Sequence, residues 1–552
     1  MWLIVFTSFA TCFSFAISAL YTKLTSRTKH ATIGQLPPLA PTWIPFLGHS
    51  LELLLHPYEF ARAIDPNKPA RLRLPGVNPI LVQGKMNVRQ LFKLSSQSNP
   101  AHAQQFIASH LFGMPAEASA SFVRDTSGIS PKPRTRSNIE ARNRICFRDH
   151  EIIHRTFQGH GLIGLVETFS RLLHNTVNKM PVGCQWVAIP DLFGFLTAQI
   201  TPLTVEVLCG PVLVKLIDPE FVQNFWKFDS WAPMITKKAP RWLFPAGYRV
   251  RDKLLDSIIR WREFTSSCEG TNEENIGCKG MMDKIKLLDV DGWSIEAVAA
   301  SDLGLIWAAN SNTISCLYWM LYELCRDPSL MTIVRDEFER SLQQPTHPST
   351  SGFDLPVLLK QPYLQAVFAE TLRLRNHIFI TRYPDPHDML VNGWRLPAKS
   401  MVMTCSTVQH MNEDLWSTGH NRSHPLDTFW AGRFLSSPSD ASTISKERRD
   451  SAMSLEPSDQ PRTKDFGQAT SGIEFSTKGL EGAWIPFGGG TQMCPGQKLA
   501  KTEIFLAAAL VLTRFEIILD DPSVEMAVNW GHFGTGVARP AAKLPFRMRR
   551  RC

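Results

Sequence analysis

A chain of 552 residues with 44% hydrophobic content is long enough for one large catalytic unit or several domains, and it carries the apolar fraction of a substantial core. Its formal net charge of +9 is not gathered into a long basic stripe, which argues against a nucleic-acid partner and leaves an anionic membrane surface or an acidic electron-transfer partner to account for the excess. The 11 cysteines are odd in number, scattered and without a CxxC pair, which indicates neither a disulfide framework nor a zinc cluster and suits a reducing compartment.

Residues 1–22 carry no charged side chain, and Trp2 to Tyr21 supplies the ~20 apolar residues that a helix needs to cross a bilayer. Lys23, Arg27 and Lys29 follow at once, so the positive-inside rule places the remainder of the chain in the cytosol. A cleaved signal peptide is the alternative; against it stand the length of the apolar run and the lack of a basic residue before it. Leu36-Pro37-Pro38-Leu39-Ala40-Pro41 then predicts a stiff hinge, giving a layout of anchor 1–22, basic and proline-rich hinge 23–42 and catalytic domain 43–552.

From Trp43 to about Ser98, short β-like runs at Ala70–Leu74 and Pro79–Val82 predict a small β-rich lobe. Phe147 to Val177 is helical in period and carries Arg148, His150, His154 and Arg155, which suit a solvated helix face. Residues 178–290 offer helical runs without a catalytic constellation. Trp293 to Arg326 predicts a long helix with Ser294 as N-cap, Glu296 in its first turn and a stop at Asp327-Pro328, roughly 48 Å at 1.5 Å per residue. Asp302 and Glu296 argue against a second membrane span, the mostly apolar circumference points to burial through the protein's middle, and Ala308-Ala309-Asn310-Ser311-Asn312-Thr313 lies near its centre.

A third helix starts at Gln361-Pro362 and carries Glu370 and Arg373 at i, i+3, a spacing that permits an ion pair. Thr381 to Met403 reads as hairpins with a turn at Asn392-Gly393. Residues 435–482 form a polar stretch longer than its connection requires, read as a surface excursion. In Trp484-Ile485-Pro486-Phe487-Gly488-Gly489-Gly490-Thr491-Gln492-Met493-Cys494-Pro495-Gly496, a glycine-rich loop delivers one cysteine to the start of an alanine-rich helix. The helix dipole favours a thiolate there, so the thiol is expected to ionise readily, and the glycines are expected to admit a flat ligand. A phosphate loop fails because no Gly-Lys-Ser/Thr follows, and a zinc site fails because no second ligand lies at zinc spacing.

The segment Phe487 to Gly496 resembles the haem-binding loop of the cytochrome P450 family, matching its aromatic at Phe487, its glycines at Gly490 and Gly496, and its cysteine at Cys494. The resemblance implies a mainly α fold with a smaller β-rich portion, behind one N-terminal transmembrane helix. It implies haem with Cys494 as axial iron ligand, and a structural network of Glu370, Arg373 and an arginine of a later loop, matched by Arg433. It also places Arg382, and basic residues of the Phe147–Val177 helix, towards the haem propionates. The position two before the cysteine, usually basic, is Gln492. In the central helix Ser311 stands for the usual acid and Asn312 for the usual alcohol, before Thr313. This Trp307-to-Thr313 pattern is similar to that of the sterol 7α- and 12α-hydroxylases and prostacyclin synthase, and proton delivery is expected through water held by Ser311 and Asn312. Such resemblance implies a monooxygenase in the endoplasmic reticulum membrane, fed by NADPH through a reductase and acting on a lipophilic steroid or terpenoid of specialised metabolism. An isomerase or dehydratase of the prostacyclin synthase type is the alternative, and a non-catalytic haem-binding or scaffold protein the third.

Overall fold

The computed structural model describes residues 34–42, 48–135, 137–267, 276–342, 352–436 and 472–551. The anchor 1–22, the start of the hinge and residues 437–471 of the polar excursion lie outside the described residues.

The longer helices are α1 (Lys85–Lys93), α2 (Ala101–His110), α3 (Ala116–Arg124), α4 (Ile145–Phe157), α5 (Gly159–Lys179), α6 (Leu192–Cys209), α7 (Phe221–Thr236), α8 (Pro245–Ser267), α9 (Ile295–Arg326), α10 (Pro328–Arg340), α11 (Pro362–Arg375) and α12 (Gln497–Arg514). A five-stranded sheet stands beside them, with order β1-β2-β4-β3-β5, where β1 is Ala70–Arg71, β2 Ile80–Leu81, β3 Asn376–Arg382, β4 Val402–Cys405 and β5 Thr535–Val537. Only β2 and β4 pair in parallel; the other ladders of this sheet are antiparallel.

α9 starts after Ser294, whose side chain makes no capping bond, stops before Asp327-Pro328, and packs against α6, α8, α11 and α12. Its one buried charged side chain in the first half, Asp302, takes both Nε and Nη2 of Arg262 from α8 at 2.7 and 2.8 Å, with Lys284 Nζ at 3.8 Å. A buried carboxylate is tolerable only with such partners, and this pairing fixes the rotation of α9 against α8. α6 is apolar enough to cross a membrane by composition, with mean hydropathy 1.5, yet it packs on α5 and α9 with 56% of its residues buried, as a core helix.

The predicted hairpin forms between Met389–Val391 and Trp394–Leu396, joined by Asn392 and Gly393, both at positive φ (46° and 88°), which is why this dipeptide makes the turn. Cysteine chemistry departs from expectation at one position: seven described cysteines are free thiols, but Cys184 is disulfide-bonded.

Candidate active site

The loop before α12 is built by its backbone. Cys494 N–H donates to Phe487 O at 3.0 Å and Met493 N–H to Gly490 O at 3.2 Å, closing a tight ring around the glycines. Gly488 and Gly490 adopt φ of 73° and 70°, a region costly for any residue with a Cβ. The three glycines serve different ends. A Cβ on Gly489 would meet Phe92 at 2.3 Å and one on Gly490 would meet Ser95 Oγ at 2.2 Å, so both admit the close approach of α1 and the turn after it. Gly488 faces the cavity, and its nearest obstacle is Ile380 at 3.7 Å. The expectation that the run as a whole makes room for a ligand therefore holds for one glycine of the three.

Behind the loop, Glu370 and Arg373 form a two-pronged ion pair, Nε to Oε2 at 2.7 Å and Nη2 to Oε1 at 2.8 Å, with both side chains fully buried. Arg433 Nε adds a third bond to Glu370 Oε1 at 2.9 Å, and Trp430 N–H a fourth at 3.1 Å. Arg373 also reaches the carbonyls of His410 and Leu426. His410 carries this network to the loop: its Nε2 accepts the Ile485 N–H at 3.2 Å, so Nδ1 carries the proton and donates to Arg373 O at 3.1 Å. Burial pushes the His410 imidazolium down to about 3, consistent with this single neutral tautomer. Asn376 Nδ2 holds Pro486 O at 2.8 Å, and Glu337 of α10 accepts the Tyr363 and Leu364 N–H groups at 2.9 and 2.8 Å, satisfying the open end of α11.

A cavity of about 630 Å³ lies between α9 and the loop. Phe487, Gln492, Cys494 and Gly496 line it from the loop, and Asn312 and Thr313 from α9. Phe112, Phe122, Ile153, Leu305, Leu372 and Ile378 make apolar wall, while Asp149, Lys284 and Glu503 are buried ionisable groups on it. Burial pushes the Asp149 carboxyl up and the Glu503 carboxyl up to about 8. Cys494 is exposed, and the cavity it lines gives it that accessible surface. Burial of its surroundings pushes the thiol up, against the N–H groups of Gly496 and Gln497, which pull it down. In the protein alone the helix terminus does not win, contrary to the expected easy ionisation.

Ser311 does not line the cavity. Its hydroxyl donates to Asp229 Oδ1 of α7 at 2.7 Å and accepts from Arg539 Nη2. Asp229 also receives Trp307 Nε1 at 2.9 Å and Arg539 Nε and Nη2 at 3.0 and 3.1 Å. Burial would raise the Asp229 carboxyl, but Arg539 and His532 hold it well below the usual range, so it stays ionised. The middle of the central helix thus has a carboxylate in space although it has none in sequence. Asn312 Oδ1 accepts the Val537 N–H of β5 at 2.9 Å.

Arg382 is buried one layer behind the lining residues Ile380 and Gly488. It donates to Thr381 O and Gly489 O; among the described residues its Nε has no partner and no carboxylate pairs with it, and burial pushes its guanidinium down to about 10. Gln492 turns its Nε2 to Ser98 Oγ at 2.9 Å, tying the loop to the turn after α1. His150, His154 and Arg155 of α4 line a second cavity of about 540 Å³ with Lys132, Arg134 and Thr491, whereas Arg148 turns to the carbonyls of Arg142 and Lys286.

Residues 217–439 and 468–546 match the family model of cytochrome P450, more than half of the chain. The cytochrome P450 monooxygenase fsoE of Humicola fuscoatra is 30% identical over 95% of this chain and 89% of its own length. This chain is a cytochrome P450. The 25-hydroxycholesterol 7-alpha-hydroxylase of Rattus norvegicus is 23% identical over 72% of this chain and 88% of its own, which agrees with the branch that the central-helix pattern resembles. The haem domain of cytochrome P450DA shares the fold, with a TM-score of 0.61 at 16% identity, covering 94% of this chain and 99% of that one.

As a cytochrome P450 the protein is an oxidoreductase, and the family implies thiolate-bound haem iron. The residues fit that group: a cysteine facing a cavity beside a glycine that leaves its wall flat, and in Arg382 a buried cation that has no anion among the described residues. Sequence reasoning missed His410, Asn376, Glu337, Asp229 and Arg539 in this P450. Each acts through a partner far along the chain, and only the lone charges inside apolar runs hint at them.

Proposed function

We propose that this cytochrome P450 is a membrane-anchored monooxygenase of the endoplasmic reticulum, with its domain 43–552 in the cytosol, acting on a steroid or terpenoid of specialised metabolism. The observation that carries the reading is that Cys494 and the polar centre of α9, Asn312 and Thr313, line one largely apolar cavity. Haem iron bound by Cys494 supplies activation of dioxygen and insertion of one oxygen atom into an unactivated carbon. The chain's own residues do the rest. Phe487 and Gly488 shape the wall beside the thiolate, Arg382 supplies the charge that Gln492 lacks for a propionate, and the Glu370, Arg373 and Arg433 network holds the loop through His410. Phe112, Phe122 and Leu305 exclude water and bind a lipophilic substrate. Asn312 and Thr313 present polar hydrogens to the reacting region.

Electrons are assigned to NADPH through a membrane reductase, an acidic electron-transfer partner that the net charge of +9 favours. The anchor 1–22 and the sterol hydroxylase among the relatives support a substrate drawn from the bilayer. The test is the carbon-monoxide difference spectrum of membranes holding the protein, with Cys494→Ala alongside, followed by NADPH consumption with added reductase. A red-shifted Soret band lost in the variant, and reductase-dependent oxidation of a sterol or terpenoid, are expected. Conversion of a peroxide substrate without reductase would replace this reading by the isomerase one.

A further inference from the structure

We infer that Arg539 and Asp229 are positioning residues that fix the amide of Asn312, so that its two N–H donors, and never its carbonyl oxygen, are presented to a ligand oxygen in the cavity. The inference rests on the haem-thiolate reading for its ligand and on geometry for the rest.

The chain of contacts is continuous. Asp229 is the anion, 3% exposed on α7, and it holds Arg539 by two bonds of 3.0 and 3.1 Å. Arg539 then spends its remaining nitrogen on the backbone, Nη1 donating to Val537 O at 2.6 Å. The other side of the same residue, Val537 N–H, donates to Asn312 Oδ1 at 2.9 Å. A backbone N–H can only donate, so the amide cannot turn over without losing that bond, and its NH2 is left for the cavity that Asn312 lines. Gly536 seals the arrangement: at φ of 137° a Cβ there would lie 2.2 Å from Asn312 Oδ1. Ser311, bonded to both members of the ion pair, anchors the same turn of α9 from the other face.

An alcohol at position 312 could both donate and accept, whereas this amide is held as a donor alone. A bound oxygen atom, of substrate or of a diatomic ligand, is therefore met by a fixed hydrogen-bond donor, and the buried ion pair acts on the site through the two peptide units that flank Val537 rather than by giving up a proton.

The experiment reads the C–O stretching band of the ferrous carbon-monoxide complex, which falls when a donor points at the ligand, together with the thermal midpoint of each variant. Asn312→Leu is expected to move the band to higher frequency. Arg539→Met is expected to move it the same way and broaden it. Arg539→Lys, which can pair with Asp229 but cannot also span to Val537 O, is expected to recover most of the thermal midpoint while keeping the band shifted. A merely structural role predicts lowered midpoints and an unmoved band in the folded fraction of the two Arg539 variants, and that result overturns the inference. An unmoved band in Asn312→Leu overturns it too. Loss of the red-shifted Soret band in the unmodified protein would instead sink the haem-thiolate reading, so the two failures are distinct.

Discussion

The two faces of the cavity are each braced by a buried carboxylate held by arginine, and they use it to opposite ends. Under the cysteine loop, Glu370 meets two guanidinium groups and every bond ends on backbone or side chains inside the network. Above it, Asp229 and Arg539 pass their order through Val537 to one amide whose donors remain free for a ligand. The first device closes on itself and makes a loop rigid; the second is left open and makes a direction. Charge balance follows the same split, since the lower face holds one acid for two arginines and carries Arg382 with no acid partner among the described residues.

The comparison is broken most severely by Glu370→Ala. Two buried guanidinium groups then lose their carboxylate, at a cost of about 3–5 kcal/mol, and folded protein with a red-shifted Soret band should be nearly absent on expression. Gly490→Ala strikes the same face through the backbone, forcing a Cβ at φ of 70° into Ser95 and Phe92. A loss of roughly 1–3 kcal/mol, read as a lower thermal midpoint, is expected, with haem content following.

Arg382→Met sharpens the charge argument, because its two effects have opposite sign. The haem-free protein should keep or gain stability, within about 1 kcal/mol, since an unpaired buried cation has gone. Haem affinity should fall about tenfold, the equivalent of about 1.4 kcal/mol, in a titration of the haem-free protein. The remaining test reads pH rather than a single midpoint, and concerns Glu503. Its carboxyl is raised to about 8 in the folded protein, so the folded state binds the proton more tightly than the unfolded one. Its contribution is complete below the ordinary carboxyl range and is lost as pH rises towards and through about 8. Glu503→Gln should flatten that decline in a denaturation series from pH 5 to pH 9, leaving the curve unchanged at the acid end.

What was legible in the sequence was what lies close together along it. Glu370 and Arg373 are one helical turn apart, Asn392-Gly393 makes its own hairpin, and Phe487 to Gly496 is a single loop. Asp327-Pro328 ends α9 by local chemistry alone. The upper face was not legible because its members come from α7, α9 and the segment after β5, up to 310 residues apart. Ser311 shows the limit: its place in the pattern suggested a group facing the cavity, while the residue that decides its direction, Asp229, sits in a stretch with no motif. His410 was equally silent, a lone histidine whose meaning comes from a loop 75 residues later.

The opposed influences on Cys494 have a consequence for its charge. Burial raises the thiol while the Gly496 and Gln497 N–H groups lower it, so the helix terminus alone does not decide whether this sulfur is ionised. What faces it across the cavity decides, and a cation placed there would hold it as an electron-donating thiolate.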